Sequence, residues 1–228
     1  MTLLLIDTCG ATGSVALADT AIHATTSLPG RTASERLVPA IRDLAAQTSL
    51  SLQSLQAIAV VHGPGSFTGV RVGLAAAKGL SHALEVPLIA ISRLAVLAHL
   101  AQPPAGARIH ALLDAGRGEF YAGVYQDGVC LHESLLTRDQ LLSTLALEPD
   151  PIVVACEPSV AESLPARLIG EPTAADALPL ALLRIQQRDF DSPATLDANY
   201  LRRTDAEIFA KPSPPKSRAV ARVAGTAR

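Results

Sequence analysis

Leu3 to Ile6 is an unbroken apolar run of the kind carried by a strand covered on both faces, and Asp7-Thr8-Cys9-Gly10 stops it. Gly13 to Ala18 and Ile22 to Ser27 read as two further strands around the short turn Asp19-Thr20, before Pro29-Gly30 breaks the sheet. Thr32-Ala33-Ser34-Glu35 has capping-box spacing and opens a helix over 33–47, with Leu37, Val38, Ile41, Leu44 and Ala45 along one stripe. Pro39 either kinks this helix or sits near its beginning. There follow a strand at 57–61, a glycine-rich loop, a helix over 70–84, a strand from Leu88 to Ile91 and a helix from Ser92 to about Ala101.

Gln102-Pro103-Pro104-Ala105-Gly106 is the one clear internal linker, and the pattern beyond it repeats the opening. His110 to Leu113 is again an apolar strand closed by an aspartate, Asp114, which lies 107 positions after Asp7. Glu119 to Tyr125 and Val129 to Glu133 form a second hairpin, and helices near 138–146, 159–168 and 178–188 surround a strand at 152–155. Two β-β-β-α-β-α halves predict an α/β chain of duplicated ribonuclease-H-like fold, the actin/Hsp70/sugar-kinase (ASKHA) architecture. The expected divisions are 1–102, 107–210 and a tail, 211–228.

Half of the 228 residues are apolar and 18% are charged, which excludes disorder for most of the chain. No run reaches about 18 apolar residues, and Asp7 interrupts the opening before a secretory core can form, so the expectation is a cytoplasmic protein without a membrane span. Cys9, Cys130 and Cys156 are widely separated and show no C-x-x-C spacing, which indicates buried thiols in place of a disulfide framework or zinc knuckle. The net charge of -2 conceals an asymmetry: residues 211–228 carry +5 and no acid, leaving -7 for the rest. With Pro212, Pro214 and Pro215, that tail reads as unfolded and solvated, while the acidic body argues against RNA binding by this chain alone.

Chemistry concentrates in His62-Gly63-Pro64-Gly65-Ser66-Phe67-Thr68-Gly69-Val70-Arg71-Val72-Gly73. Its glycines permit a tight strand-to-helix loop whose N–H groups face a ligand or another chain. The phosphate-loop templates fail, because no Gly-Lys-Ser/Thr follows Gly69 and Gly63, Gly65 and Gly69 are spaced G-x-G-x-x-x-G. Ser66 is not framed as G-x-S-x-G, and no aspartate lies nearby to orient His62 as a base.

As a string, HGPGSFTGVRVG resembles the signature of the bacterial TsaB (YeaZ) family. Leu4 to Thr8, Ser92 to Ala98, Asp114 to Tyr121 and Tyr200 to Arg203 resemble further segments of that family, in the same order. The resemblance implies the same duplicated fold and a subunit that acts with a TsaD-like catalytic partner to form N6-threonylcarbamoyladenosine (t6A37) in tRNA. A TsaE-like ATPase is implied as a third component, tRNA meets the chain through the complex, and a homodimer through the partner surface is the expectation for the chain alone.

In this architecture acidic residues at strand ends hold metal, and hairpin N–H groups take phosphate. Asp7 and Asp114 stand at those ends, although an aspartate there also caps a turn; they are read as a vestigial cleft. TsaD-like paralogues carry a His-x-x-x-His pair on the helix after the third strand. Here Arg31 to Pro39 holds no histidine, and no two histidines of the chain are four apart. Ala155-Cys156-Glu157-Pro158-Ser159 stands where an adenosine-binding Gly-Gly turn is expected, so neither catalytic residues nor a metal nor a bound cofactor is expected of this chain.

Gly63, Pro64, Gly65, Ser66, Phe67, Thr68, Gly69 and Arg71 are assigned a structural or interface role. Leu37, Ile41 and Leu44 with Gly73, Ala77 and Leu80 are candidate partner contacts, because small side chains let helices approach closely. Glu171 to Leu178 precedes a helix and resembles the family's late segment, where an acidic residue caps the helix; it is assigned no chemical role. The rival reading is a self-sufficient ATP-dependent phosphotransferase of the sugar-kinase class using Asp7 and Asp114; a peptidase would need a metal pair or a nucleophile-base-acid set.

Overall fold

Leu3, Leu4, Leu5 and Ile6 have no polar side to turn to water, and the structure, a computed structural model describing residues 2–29, 32–48 and 50–202, buries all four completely. They lie in β1 (Thr2–Asp7), the middle of a sheet with β2 (Gly13–Ala18), β3 (Ile22–Leu28), β4 (Leu55–Val61) and β5 (Leu88–Ile91). β1 pairs antiparallel with β2, placing Leu5 opposite Ala16, and parallel with β4, placing Leu5 opposite Ala59. α1 (Ala33–Thr48), α2 (Phe67–Leu84) and α3 (Arg93–Leu100) complete the first half.

The second half repeats the sequence of elements: β6 (Arg108–Gly116), β7 (Glu119–Gln126), β8 (Val129–Thr137), α4 (Arg138–Leu145), β9 (Ile152–Ala155), α5 (Pro158–Ser163), β10 (Arg167–Leu168) and α6 (Leu178–Gln186). Strand orders β3-β2-β1-β4-β5 and β8-β7-β6-β9-β10 are the same order written twice. That identity is the duplicated ribonuclease-H-like α/β fold.

Two boundaries differ from expectation for local reasons. α2 starts at Phe67, not Val70, because the Ser66 hydroxyl accepts the Gly69 N–H and fixes the first turn. The helix expected over 159–168 ends at Ser163; Pro165 lacks the N–H that a helix needs, and Arg167 and Leu168 instead pair parallel with Val154 and Ala155 as an edge strand. Thr32 donates its hydroxyl to the Pro29 carbonyl, whereas Thr137 and Gln140 on α4 form a reciprocal capping box. The tail 211–228, and residues 203–210 of the expected second half, lie outside the described residues.

The halves exchange their last helices. α3 belongs to the first half by sequence, but Leu94, Leu97 and Ala98 pack with Ile109, Ala111, Leu113 and Val154 of the second sheet. α6 and the turn before it place Ala177, Leu178 and Ala181 in the core of the first.

α1 and α2 lie side by side on the first sheet, and this corrects the expected partner surface. Leu37, Ile41 and Leu44 are buried in the chain's own core, as are Gly73 and Ala77, because these positions face the sheet; Leu80 is half-buried against the same core. The exposed faces of the two helices carry Val38, 63% exposed, with Arg42, Ala75, Gly79 and His82. Ile41→Ala is expected to lower stability by about 2–5 kcal/mol, and Val38→Ala to change it by no more than about 0.5 kcal/mol; urea unfolding midpoints measure both.

Candidate functional site

The two strand-end aspartates make the same local bond. Asp7 accepts the Cys9 N–H at 2.8 Å, and Asp114 accepts the Gly116 N–H at 2.7 Å, each closing a turn two residues on. Their surroundings differ, since Asp114 is exposed and Asp7 is 1% exposed. Burial pushes the Asp7 carboxyl above its ordinary value; Arg93 and the bonds to Cys9 only partly oppose it.

The segment after Asp7 lies flush against the signature loop. Ser66 donates its N–H to the Cys9 carbonyl at 2.8 Å, Thr8 donates its hydroxyl to the Gly69 carbonyl at 2.6 Å, and the Cys9 thiol donates to the Val61 carbonyl at 3.1 Å. A Cβ at Gly65 would overlap the Cys9 carbonyl, at Gly69 the Thr8 carbonyl, and at Gly73 the Thr8 hydroxyl. Gly65 in the loop, with Gly69 and Gly73 four apart on α2, leaves room for the Thr8–Cys9 segment to lie close. The loop is thus chiefly a packing seam. Among its expected site residues, Gly63 and Pro64 are buried, Gly65 and Gly69 are half-buried, and Ser66, Phe67, Thr68 and Arg71 are exposed.

The exposed end of the seam borders a cavity of about 510 Å³, lined by Pro64, Gly65 and Phe67 together with Gly116, Arg117 and Tyr200 among others. The turn following Asp114 therefore faces the signature loop. Arg71 stacks its guanidinium 3.2 Å from the centre of the Phe67 ring, and the Tyr200 ring lies 6.4 Å from that ring. Ser66 and His62 do not pair: the serine caps α2, and His62 Nδ1 lies 3.1 Å from the Asp197 carbonyl.

A second set of groups converges behind the seam on Arg93, the first residue of α3, whose side chain is only 5% exposed. Its backbone N–H donates to the Gly63 carbonyl at 2.8 Å. Its Nη2 donates at 3.0 Å to Glu171 Oε1, and the same oxygen accepts the Ala11 N–H at 3.1 Å. Asp7, Cys9, Cys156 and Glu157 also lie within electrostatic range of the guanidinium. Burial raises the Glu157 carboxyl, with Arg93 opposing, and pushes the Cys156 thiol up to about 12, so this thiol stays protonated at neutral pH. Glu157 Oε2 and Arg93 Nε are buried without a hydrogen-bond partner among the described residues.

In the segment before α6, Asp176 accepts from the Thr173 N–H and hydroxyl at 2.8 and 2.7 Å, and α6 itself carries no side-chain cap bond, while Glu171 reaches back to the β1–β2 turn. Sequence reasoning gave no role to Arg93 or Glu171. The available signal was an arginine two residues after a buried strand, at the head of a helix whose other polar residue is His99.

Arg93→Met would leave the surrounding acids without their cation and is expected to cost about 3–5 kcal/mol in chemical denaturation. Asp7→Asn tests the buried carboxyl. Because its pKa is raised above the ordinary 3.8, the folded chain keeps that proton to higher pH than the unfolded chain does. The acid therefore weakens the fold as pH rises through the raised value. Urea midpoints taken from about pH 3 to about pH 8 are expected to shift in favour of the variant over that rise and then to run parallel.

A family model described as "TsaD: tRNA N6-adenosine threonylcarbamoyltransferase" matches residues 24–143, just over half of the chain. The chain is 40% identical over 128 residues to the tRNA threonylcarbamoyladenosine biosynthesis protein TsaB of Escherichia coli, covering 55% of each sequence. It thus spans about half the length of the curated TsaB relatives it matches. Two solved structures from Pseudomonas aeruginosa extend the likeness. An uncharacterized protein with similarity to peptidase YeaZ superposes with a TM-score of 0.75 at 32% identity, over 88% of this chain and 99% of that one. YeaZ itself gives a TM-score of 0.74 at 29% identity with the same coverage. A likeness that runs through nearly the whole of a solved YeaZ-like chain, and includes both halves of the duplicated fold, shows that this chain belongs to the TsaB (YeaZ) family, within the wider group that the TsaD model describes.

Proposed function

We propose that this chain is the non-catalytic, partner-binding subunit of the assembly that forms t6A37 in tRNA, docking on a TsaD-like catalytic subunit and supporting it. The observation that carries this reading is that the cleft behind the β1–β2 turn is filled by the chain's own groups. Glu171 lies on the turn N–H, Arg93 is committed to Glu171, and Asp7 is buried in a turn-closing bond. A phosphotransferase needs those positions for its nucleotide and metal, and no observation here favours that alternative.

In this reading the partner meets the outer faces of α1 and α2 around Val38, Ala75 and Gly79. A Cβ built on Gly79 meets nothing within 4 Å, so a foreign helix can approach the α2 backbone closely there. The threonylcarbamoyl group passes from threonylcarbamoyl-adenylate to tRNA on the partner, a TsaE-like ATPase joins the pair, and tRNA meets this chain through the complex. The assembly works in the cytoplasm; no described helix is long and apolar enough to cross a membrane. Without its partner the same face pairs with a second copy of the chain.

Co-expression with a TsaD-like protein followed by size-exclusion chromatography tests the proposal. The unsubstituted chain is expected to co-elute with the partner. Gly79→Glu, which removes a helix-weakening glycine and places a charge on the face, is expected to elute apart with an undiminished unfolding midpoint. Modification of tRNA by this chain alone, or failure of the unsubstituted chain to associate, would overturn the reading.

A further inference from the structure

Phe67 and Tyr200 stand side by side in contact with solvent. They are 57% and 40% exposed, and their ring centres lie 6.4 Å apart. The Arg71 guanidinium lies 3.2 Å from the Phe67 centre and 5.3 Å from the Tyr200 centre. Aromatic rings and arginine grouped on a surface beside a concavity have the composition of a contact site. Both rings line the cavity of about 510 Å³, together with Tyr121, Arg117 and Arg202, and no carboxylate is among the described residues that line it. Glu119 pairs with Arg202 from outside that lining, at 2.6 Å. Walls of rings and guanidinium groups suit an occupant that combines apolar and acidic residues.

The chain itself runs to this rim. Asn199 donates its N–H to the His62 carbonyl at 2.8 Å and its side-chain amide to Glu133 at 2.6 Å, and Arg202 donates to the Gly116 carbonyl at 3.2 Å. Residues 199–202 are thereby held to both halves, and Arg202, on the cavity wall, is the last described residue. The sequence continues Arg203-Thr204-Asp205-Ala206-Glu207-Ile208-Phe209. Asp205 and Glu207 are the only acids beyond Arg202, and Phe209 is the only aromatic residue there. Six extended residues span about 20 Å, so Ile208 has length to spare in reaching a cavity that Arg202 borders. A tether this short holds its segment at an effective concentration of millimolar order, which makes a modest contact sufficient.

We infer that Asp205-Ala206-Glu207-Ile208-Phe209 docks in cis on this cavity, Ile208 and Phe209 meeting the exposed rings and Asp205 and Glu207 facing the arginines. The basic stretch from Lys211 onward has the rim's own sign and is no substitute for it. This docking does not depend on the partner-binding role, which uses the outer faces of α1 and α2 around Val38 and Gly79.

Nuclear Overhauser contacts measured in the full chain with labelled Phe and Tyr, without any partner, test the inference. Phe209 is expected to contact the Phe67 or Tyr200 ring, at an intensity independent of protein concentration. Ile208→Ser combined with Phe209→Ser is expected to move both ring resonances, and Asp205→Lys combined with Glu207→Lys to weaken the Phe209 contacts severalfold. A synthetic peptide of residues 204–210 is expected to shift the Phe67 and Tyr200 resonances of the Ile208→Ser, Phe209→Ser chain at a concentration at least about tenfold lower than it needs in the unsubstituted chain, where the tethered segment competes. Absence of Phe209 contacts to these rings in the folded, unsubstituted chain overturns the inference and requires no variant to fold. Contacts that fade on dilution assign the segment to a second copy, and peptide binding that leaves both rings unmoved assigns it to another surface; either result overturns the inference as well.

Discussion

The structure turns on a guanidinium withdrawn from water. Dehydrating Arg93 is tolerable only while negative charge surrounds it, and the chain supplies acidic groups from both halves: Asp7 at the end of β1, Glu157 after β9 and Glu171 beyond β10. The backbone of the same residue bonds to Gly63. One residue thereby ties the signature loop, the first turn and the second half to a single point. The groups gathered around it also hold the scaffold on which the outer faces of α1 and α2 are displayed.

The fold was largely legible in the sequence. Apolar runs closed by Asp7 and Asp114 marked equivalent strands, and the linker at Gln102–Gly106 marked the repeat, because burial on both faces and turn chemistry leave strong local traces. β10 was illegible, since a two-residue edge strand has no period to read, and Pro165 became the useful mark only once its missing N–H was weighed against a helix. The helix exchange was illegible too. Apolarity on α3 and α6 tells that these helices are covered, not which sheet covers them.

The candidate site was legible in part. The signature string is plain in the sequence, but its glycines could serve a ligand or a neighbouring backbone, and only the positions of the Thr8 and Cys9 carbonyls decide for the neighbour. Leu37, Ile41 and Leu44, candidate contacts by sequence, are buried in the chain's own core. A stripe of apolar residues at helical spacing is first of all the face that meets the chain's own sheet, and the exposed face lies opposite, at Val38 and Arg42. Arg93 and Glu171 escaped because 78 positions separate them, and pairings at that range have no local signature.

The exchanged helices bear on how such a chain arose and how it folds. Each duplicated half leaves an apolar wound that only the other's terminal helix dresses: Leu94 and Leu97 for one sheet, Leu178 and Ala181 for the other. Severed at the proline-rich join, either fragment would expose greasy surface at two places, on its uncovered sheet and on its orphaned helix. Tandem copying therefore produced a single cooperative unit, not a pair of beads on a string.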